Sequence, residues 1–362
     1  MQPIRALGTM SGTSLDGVDA AELVTDGEAI HGFGASRYLA YDDAQREILR
    51  AALGRWPGEA GVAKAAEVVE TQTARLLARF EPPEIVGFHG QTLAHAPAER
   101  RTHQVGDGAL LADLLGVPVA WDFRTTDVML RGEGAPLAPI YHHACARWIE
   151  AEGPVAFLNL GGVGNLTWAD PLTDDPAEAL LAFDTGPANA PLNDLAHRHL
   201  GTSFDQDGAL AAQGTADMDA VDALLDHPFF NRTPPKSLDR DAFREAGAAI
   251  DALPAADAAA TWVAVVAVTV SAALTRCPVP PDRLLVTGGG RKNPVIMAAL
   301  AEAASCPVAP VEEVGLDGDM LEAQAFAYLA VRVMRGLPTT FPSTTGVGAR
   351  VGGGVVSRPT GR

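Results

Sequence analysis

One pattern constrains this chain more than any other. A strand, a glycine turn, two more strands and then helices follow one another, and the pattern occurs twice. Ile4–Leu7, Val18–Val24 and Ala29–Tyr38 carry the short apolar runs of three consecutive antiparallel strands. The turn Gly8-Thr9-Met10-Ser11-Gly12-Thr13-Ser14-Leu15-Asp16-Gly17 joins the first two. Residues 42–53 and 61–80 then show helical spacing. The pattern restarts at Val155–Leu160, turns through Gly161-Gly162-Val163-Gly164-Asn165 and continues in Leu166–Ala169 and Leu180–Phe183, before helical segments at 190–200 and 218–225. The repeat is one of organisation, not of sequence. It predicts an α/β chain of two similar lobes, each a mixed sheet flanked by helices, facing each other across a cleft. The lobes are expected at residues 1–133 and 134–362, with the last residues returning to the first lobe. Glu84–Phe88, Val117–Ala120 and Leu284–Val286 read as further short strands. Residues 109–115, 139–150 and 320–335 read as helices.

A length of 362 residues exceeds one ordinary core, which agrees with two lobes. The formal net charge of −18 repels phosphodiester backbones, so nucleic acid is not an expected partner. The same field opposes an anionic nucleotide unless amides, a helix start or a metal ion offset it locally. Cys145, Cys277 and Cys306 stand far apart and form no CxxC pair. That argues against a disulfide framework or a zinc site and for a reducing cytoplasm. Met1–Met10 is too short and too little apolar for a signal peptide. The uncharged stretch 258–274 falls just short of a spanning helix and is diluted by Ala, Thr and Ser. It is read as a buried core helix, with membrane insertion the lesser alternative.

Three glycine turns follow strands. Ser11 to Gly17 combines glycines, hydroxyls and the carboxylate of Asp16, the groups needed to hold phosphate oxygens and a hydrated Mg²⁺. An Asp-Gly β-turn with solvated hydroxyls is the alternative. Gly161-Gly162-Val163-Gly164-Asn165 is followed by a strand, not a helix, so it is no dinucleotide fingerprint; a tight hairpin is its simplest reading. Gly288-Gly289-Gly290 lies between a strand and a helix starting near Pro294, a context suited to nucleotide contact at a helix N-terminus. No GxxxxGK[ST] segment exists, which excludes a Walker-type P-loop. Three such turns in two lobes favour a nucleotide over three unrelated connections.

Asp184 follows the apolar run Leu180–Phe183. Ionised at neutral pH, it could take a proton from a hydroxyl or a water. A helix N-cap or an Asx-turn before Thr185-Gly186-Pro187 is the equal alternative. Asp122 and Arg124 close a strand and could grip a sugar or each other. His89 and His95 lack a carboxylate at metal spacing, and Asp205-Gln206-Asp207-Gly208 lacks the remaining ligands of a calcium loop.

In this order, these segments resemble the anhydro-N-acetylmuramic acid kinase family, end to end. The most specific pieces are Gly8 to Asp19, Phe88-His89-Gly90-Gln91-Thr92 and Phe183-Asp184-Thr185-Gly186-Pro187. Gln104-Val105-Gly106-Asp107, Asp122-Phe123-Arg124, Gly134-Ala135-Pro136-Leu137, Asn159-Leu160-Gly161-Gly162, Pro235-Lys236-Ser237, Gly288-Gly289-Gly290 and Glu322-Ala323-Gln324-Ala325-Phe326 add to them. The resemblance implies an actin-like, ribonuclease H-like ATPase fold with the active site in the interlobe cleft. It implies a cytoplasmic homodimer that uses Mg²⁺ and ATP to open an anhydrosugar and phosphorylate O6 in peptidoglycan recycling. Asp184 matches the family's base. ATP contacts are implied at Gly12, Thr13, Ser14, Leu15, Asp16, Gly17, Val18, Asp19, Gly161, Gly162, Asn165, Gly288, Gly289 and Gly290. Sugar contacts are implied at His89, Gln91, Asp122, Arg124, Glu133, Pro136 and Asn189, and metal contacts at Asp16 and Glu322.

The chemistry suits a kinase better than a simple glycosidase. Water attacks C1 while O6 leaves, and the γ-phosphoryl group traps O6. One base then suffices where a glycosidase needs a second carboxyl group. Two departures stand out. Ala188 replaces the family's usual glycine, which is tolerable only at negative φ. Arg131 and Glu133 stand where the family has Gly and Gln. A kinase for another anhydrosugar such as levoglucosan, and a non-catalytic ATP-binding sugar sensor, are the alternatives. The sensor reading suffers from the lack of a basic segment to bind DNA.

Overall fold

The computed structural model describes residues 1–238 and 242–361. The chain divides into two compact units: residues 1–148 with the chain from 320 onward, and residues 149–319. This division falls later than the expected one after residue 133. The helix Pro139–Trp148 stays with the first unit: Tyr141 Oη donates to Gln324 Oε1 at 2.9 Å, and the Trp148 ring meets Phe33 edge-on at 5.3 Å.

In the first unit, β1 (Ile4–Ser11), β2 (Gly17–Thr25) and β3 (Ile30–Ala40) form an antiparallel meander. β4 (Ile85–Ala96) lies parallel to β1 on its other side, carries β5 (Arg101–Val105) antiparallel along its second half, and pairs parallel with β6 (Val119–Trp121). The second unit repeats the core of this order. β7 (Val155–Leu160), β8 (Val163–Ala169) and β9 (Leu180–Pro187) form the meander. β10 (Arg283–Thr287) and then β11 (Val308–Pro310) extend it, both parallel, beyond β7. The strand order, a meander whose first strand also carries two parallel strands, is the actin-like, ribonuclease H-like arrangement, present once in each unit. Finally, β12 (Val355–Ser357) pairs antiparallel with β6, so the C-terminal segment returns to the first sheet.

Local chemistry explains the elements. β10 reads Leu-Leu-Val in its centre and is buried there, as a parallel strand covered on both faces should be. The helix Asp43–Ala52 starts at a capping box between Asp42 and Gln45. The helix Ala255–Leu274 is apolar on most of its faces, and Trp262, Val266 and Val270 sit in the core of the second unit. Among the described residues it is the one helix long and apolar enough to cross a membrane, and 67% of its apolar window is buried.

The helix Leu321–Met334 is seated on the first sheet by two glycines. Gly8 and Gly87 are register partners on β1 and β4. A Cβ at Gly8 would lie 1.9 Å from the carbonyl oxygen of Ala323, and one at Gly87 2.0 Å from that of Phe326. Bare backbone at both positions lets the helix lie directly on the strands, which fixes the place of Glu322 in its first turn.

Candidate active site

The first glycine turn is a hairpin tip held from inside. Leu15 adopts φ 60, in the left-handed region disfavoured for a bulky side chain, and its N–H donates to the Gly12 carbonyl at 3.1 Å. Its side chain is buried, which offsets that conformation and anchors the tip, while Thr13, Ser14 and Asp16 face solvent. The Asp16 carbonyl accepts from Tyr41 N–H and Tyr38 Oη; its carboxylate carries no hydrogen bond or ion pair among the described residues. Ser11 points the other way: its Oγ donates to Gln91 Oε1 at 2.5 Å and lies 3.0 Å from Tyr41 Oη. Gln91 is fully buried and braces this hairpin from β4. Val18 is buried in β2, and Asp19 sits beside it, half-buried.

A second set gathers around Arg124. Asp122, at φ 56, accepts from Thr125 Oγ1, and Arg124 has other partners, so the two do not grip each other. Arg124 Nη1 donates to the Gly134 carbonyl at 2.8 Å, and Nη2 lies 3.2 Å from His89 Nε2. Its Nε is buried without a partner. Burial brings the Arg124 guanidinium down to about 10, still cationic at neutral pH, while Glu322 and then Asp127 pull it back up. The Glu322 carboxyl is pushed up by its crowded surroundings, against the pull of Arg124. Asp127, a residue with no local signal in the sequence, is fully buried. It accepts from Gly134 N–H at 2.7 Å and Thr345 Oγ1 at 2.7 Å and so orders the loop before Pro136. Glu133 joins the same loop through its backbone: its N–H donates to the Thr345 carbonyl at 2.8 Å, and its carbonyl lies 2.8 Å from His95 Nε2. Pro136 is half-buried behind a cis Ala135–Pro136 bond.

The second unit holds Asp184. A register shift between Gly164 and Asn165 brings Asn165 opposite it. Asn165 Nδ2 donates to Asp184 Oδ1 at 2.8 Å, and Leu238 N–H donates to Oδ2 at 2.7 Å. Asn165 is therefore engaged with the candidate base through its amide nitrogen. Asp184 lies inside β9, so the N-cap alternative does not hold; Ala188 is the residue before the helix Asn189–Leu200. Sequence reasoning left Lys236 without a role, although it stands in the Pro235-Lys236-Ser237 piece. Its carbonyl accepts from Asp184 N–H at 2.9 Å; its Nζ donates to the Phe229 carbonyl at 3.1 Å and sits 4.1 Å from the Phe229 ring. Burial brings the Lys236 ammonium down to about 8, with Arg276 and Arg232 adding to the shift and Asp184 opposing it.

The other two glycine turns of this unit pack on one another. The carbonyls of Gly161 and Gly162 accept from the N–H groups of Ala188, Asn189 and Ala190 at the start of the helix. Asn189 Nδ2 donates to the Leu160 carbonyl at 2.7 Å, bracing the hairpin. Gly288 and Gly290 back onto Asn159 and Leu160, with Asn189 Oδ1 beside Gly290. A 3₁₀ turn, Gly289–Lys292, separates Gly288 from the helix Pro294–Ala303, whose first N–H groups, Val295 and Ile296, bond to Asn293 Oδ1. Those amides are thus taken. Arg291 Nη1 holds that turn at the Gly288 carbonyl, 2.9 Å away. Among the described residues no group of three His, Cys, Asp or Glu could hold a metal by itself. Mg²⁺ commonly takes one or two carboxylates and completes its shell with water and phosphate, so the exposed Asp16 carboxylate fits it.

The sequence profile of anhydro-N-acetylmuramic acid kinases matches residues 4–358. The chain belongs to that family. The anhydro-N-acetylmuramic acid kinase of Cereibacter sphaeroides is 64% identical over 356 residues, covering 98% of this chain and 96% of that protein. The one from Roseobacter denitrificans is 60% identical over 359 residues, covering 99% and 95%. That of Ruegeria sp. is 58% identical over 361 residues, covering 99% and 96%. Two of the departures from the family pattern have structural accounts. Ala188 has φ −129, so its methyl group is tolerated where the family has glycine. Arg131 adopts φ 72, a conformation in which the family's glycine is easier to place.

Proposed function

We propose that this protein opens the 1,6-anhydro ring of anhydro-N-acetylmuramic acid with water and transfers the γ-phosphoryl group of ATP to O6, giving N-acetylmuramic acid 6-phosphate and ADP. The observation that carries this reading is Asp184: an acid within a strand of a family kinase, whose Oδ1 accepts from Asn165 Nδ2 and whose Oδ2 accepts from Leu238 N–H. These bonds hold the carboxylate in one orientation, as a positioned general base requires. Asp184 takes the proton from the water that attacks C1, and O6 leaves onto phosphorus. Thr13, Ser14 and the amides of the first hairpin hold phosphate oxygens, and the Gly288–Gly290 turn holds the nucleoside side. Asp16, with Glu322 a further carboxylate, would hold Mg²⁺, which would supply charge neutralisation of the transferring group. Arg124 and the ordered loop at Glu133 and Pro136 bind the sugar. The protein is read as a cytoplasmic homodimer in peptidoglycan recycling, in keeping with three free cysteines.

The test is ADP release with Mg²⁺-ATP and each of anhydro-N-acetylmuramic acid, levoglucosan and N-acetylglucosamine. Strong turnover on the first alone is expected. Turnover only on levoglucosan would move the substrate and leave the chemistry, and silence on all three would overturn the kinase reading.

A further inference from the structure

His89 stands at a bulge built into the first sheet. Thr9 of β1 pairs with Phe88 and Ser11 with Gln91, so His89 and Gly90 occupy β4 where β1 has one residue. Gly90 has φ 74, and a Cβ there would lie 2.6 Å from the Val105 carbonyl oxygen, so the bulge is pinned to glycine. The bulge re-aims His89 inward: the residue is 4% exposed and its ring lies 4.6 Å from that of Phe326. Both ring nitrogens are engaged, Nδ1 at 3.0 Å from the Gly90 carbonyl oxygen and Nε2 at 3.2 Å from Arg124 Nη2. A carbonyl oxygen only accepts and a guanidinium only donates. One form of the ring satisfies both: neutral, with the proton on Nδ1 and the Nε2 lone pair toward Arg124. Burial, then the charge of Arg124, keeps the ring neutral down to about 3.

We propose that His89 is a positioning residue that acts through Arg124, its Nε2 lone pair and the Gly134 carbonyl together fixing the guanidinium plane beside Glu322. It is not a sugar ligand, because neither ring nitrogen has capacity left for one. The proposal rests on the reading of Arg124 as a sugar contact.

Two polar variants separate positioning from mere filling of space. Glutamine places its carboxamide oxygen near the position of Nε2; asparagine reaches only as far as Nδ1. His89→Gln is expected to keep kcat/KM for the anhydrosugar within a few-fold of the parent. His89→Asn should lower it about 10- to 100-fold, the range for a lost hydrogen bond to a charged group. Neither should change the Kd for ATP, and in an Arg124→Ala background the two should become indistinguishable. Equal losses in both variants, or a persisting difference without Arg124, would overturn the proposal. Unchanged sugar kinetics in Arg124→Ala alone would instead sink the reading of Arg124 on which it stands.

Discussion

The proposed reaction concentrates its proton transfer in Asp184, and the surroundings of that residue say what its removal should do. Asp184→Asn keeps the shape of the side chain but loses the base. Turnover should fall about 10²- to 10⁴-fold, while calorimetry finds ATP binding unchanged; undiminished turnover would remove Asp184 from the mechanism. Asp127 makes a different kind of contribution. Its two oxygens satisfy Gly134 N–H and Thr345 Oγ1 in the interior. Asp127→Ala leaves both donors unpaired and should cost about 2–4 kcal/mol, read as a lowered midpoint in denaturant. Asp184 announced itself by its place after an apolar run. Asp127 did not, because its role depends on Thr345, far away in the chain.

The elements most informative about function are those that give up side chains to come close. Gly8→Ala would drive a Cβ into the backbone of the helix Leu321–Met334, where no flexible side chain can yield. A loss of about 1–3 kcal/mol is expected, the usual cost of overpacking. Because Glu322 rides on that helix, a fall in kcat should accompany the fall in denaturation midpoint; a stable, fully active Gly8→Ala would show that the helix position does not matter. β4 shows why element boundaries were hard to see. Its first half is the apolar run that was expected, and its second half carries His89, Gln91 and His95, whose polarity hides a strand. β5 explains the extension, since it pairs with that half and satisfies its backbone. β11 and β12 are three residues each, too short for any period to show.

At the scale of the whole molecule, buried histidines tie stability to pH. Burial brings His89 and His142 down to about 3 from an ordinary 6.5. The unfolded chain therefore takes up protons that the folded chain refuses, and stability falls as pH drops from about 6.5 toward 3. At pH 5 the loss is up to about 2 kcal/mol for each histidine. Melting temperatures at pH 7 and pH 5 should differ accordingly, and a pH-independent melting temperature would contradict neutral burial of both rings.

The duplicated α/β organisation, the three glycine turns and the place of Asp184 after an apolar strand could be read from the sequence because each depends on neighbours close along the chain. Apolar period, turn chemistry and an acid after a buried run are local properties. The tertiary structure alone decided which groups are engaged with one another. Gln91 braces Ser11 and Asn165 braces Asp184, engagements that no local pattern announces. Lys236 gained its place from Phe229 and Asp184, and the division after Trp148 came from a helix packed on the first sheet. These are pairings between residues distant in sequence, and a hydrogen bond or a close backbone approach leaves no trace in the composition or period of either partner.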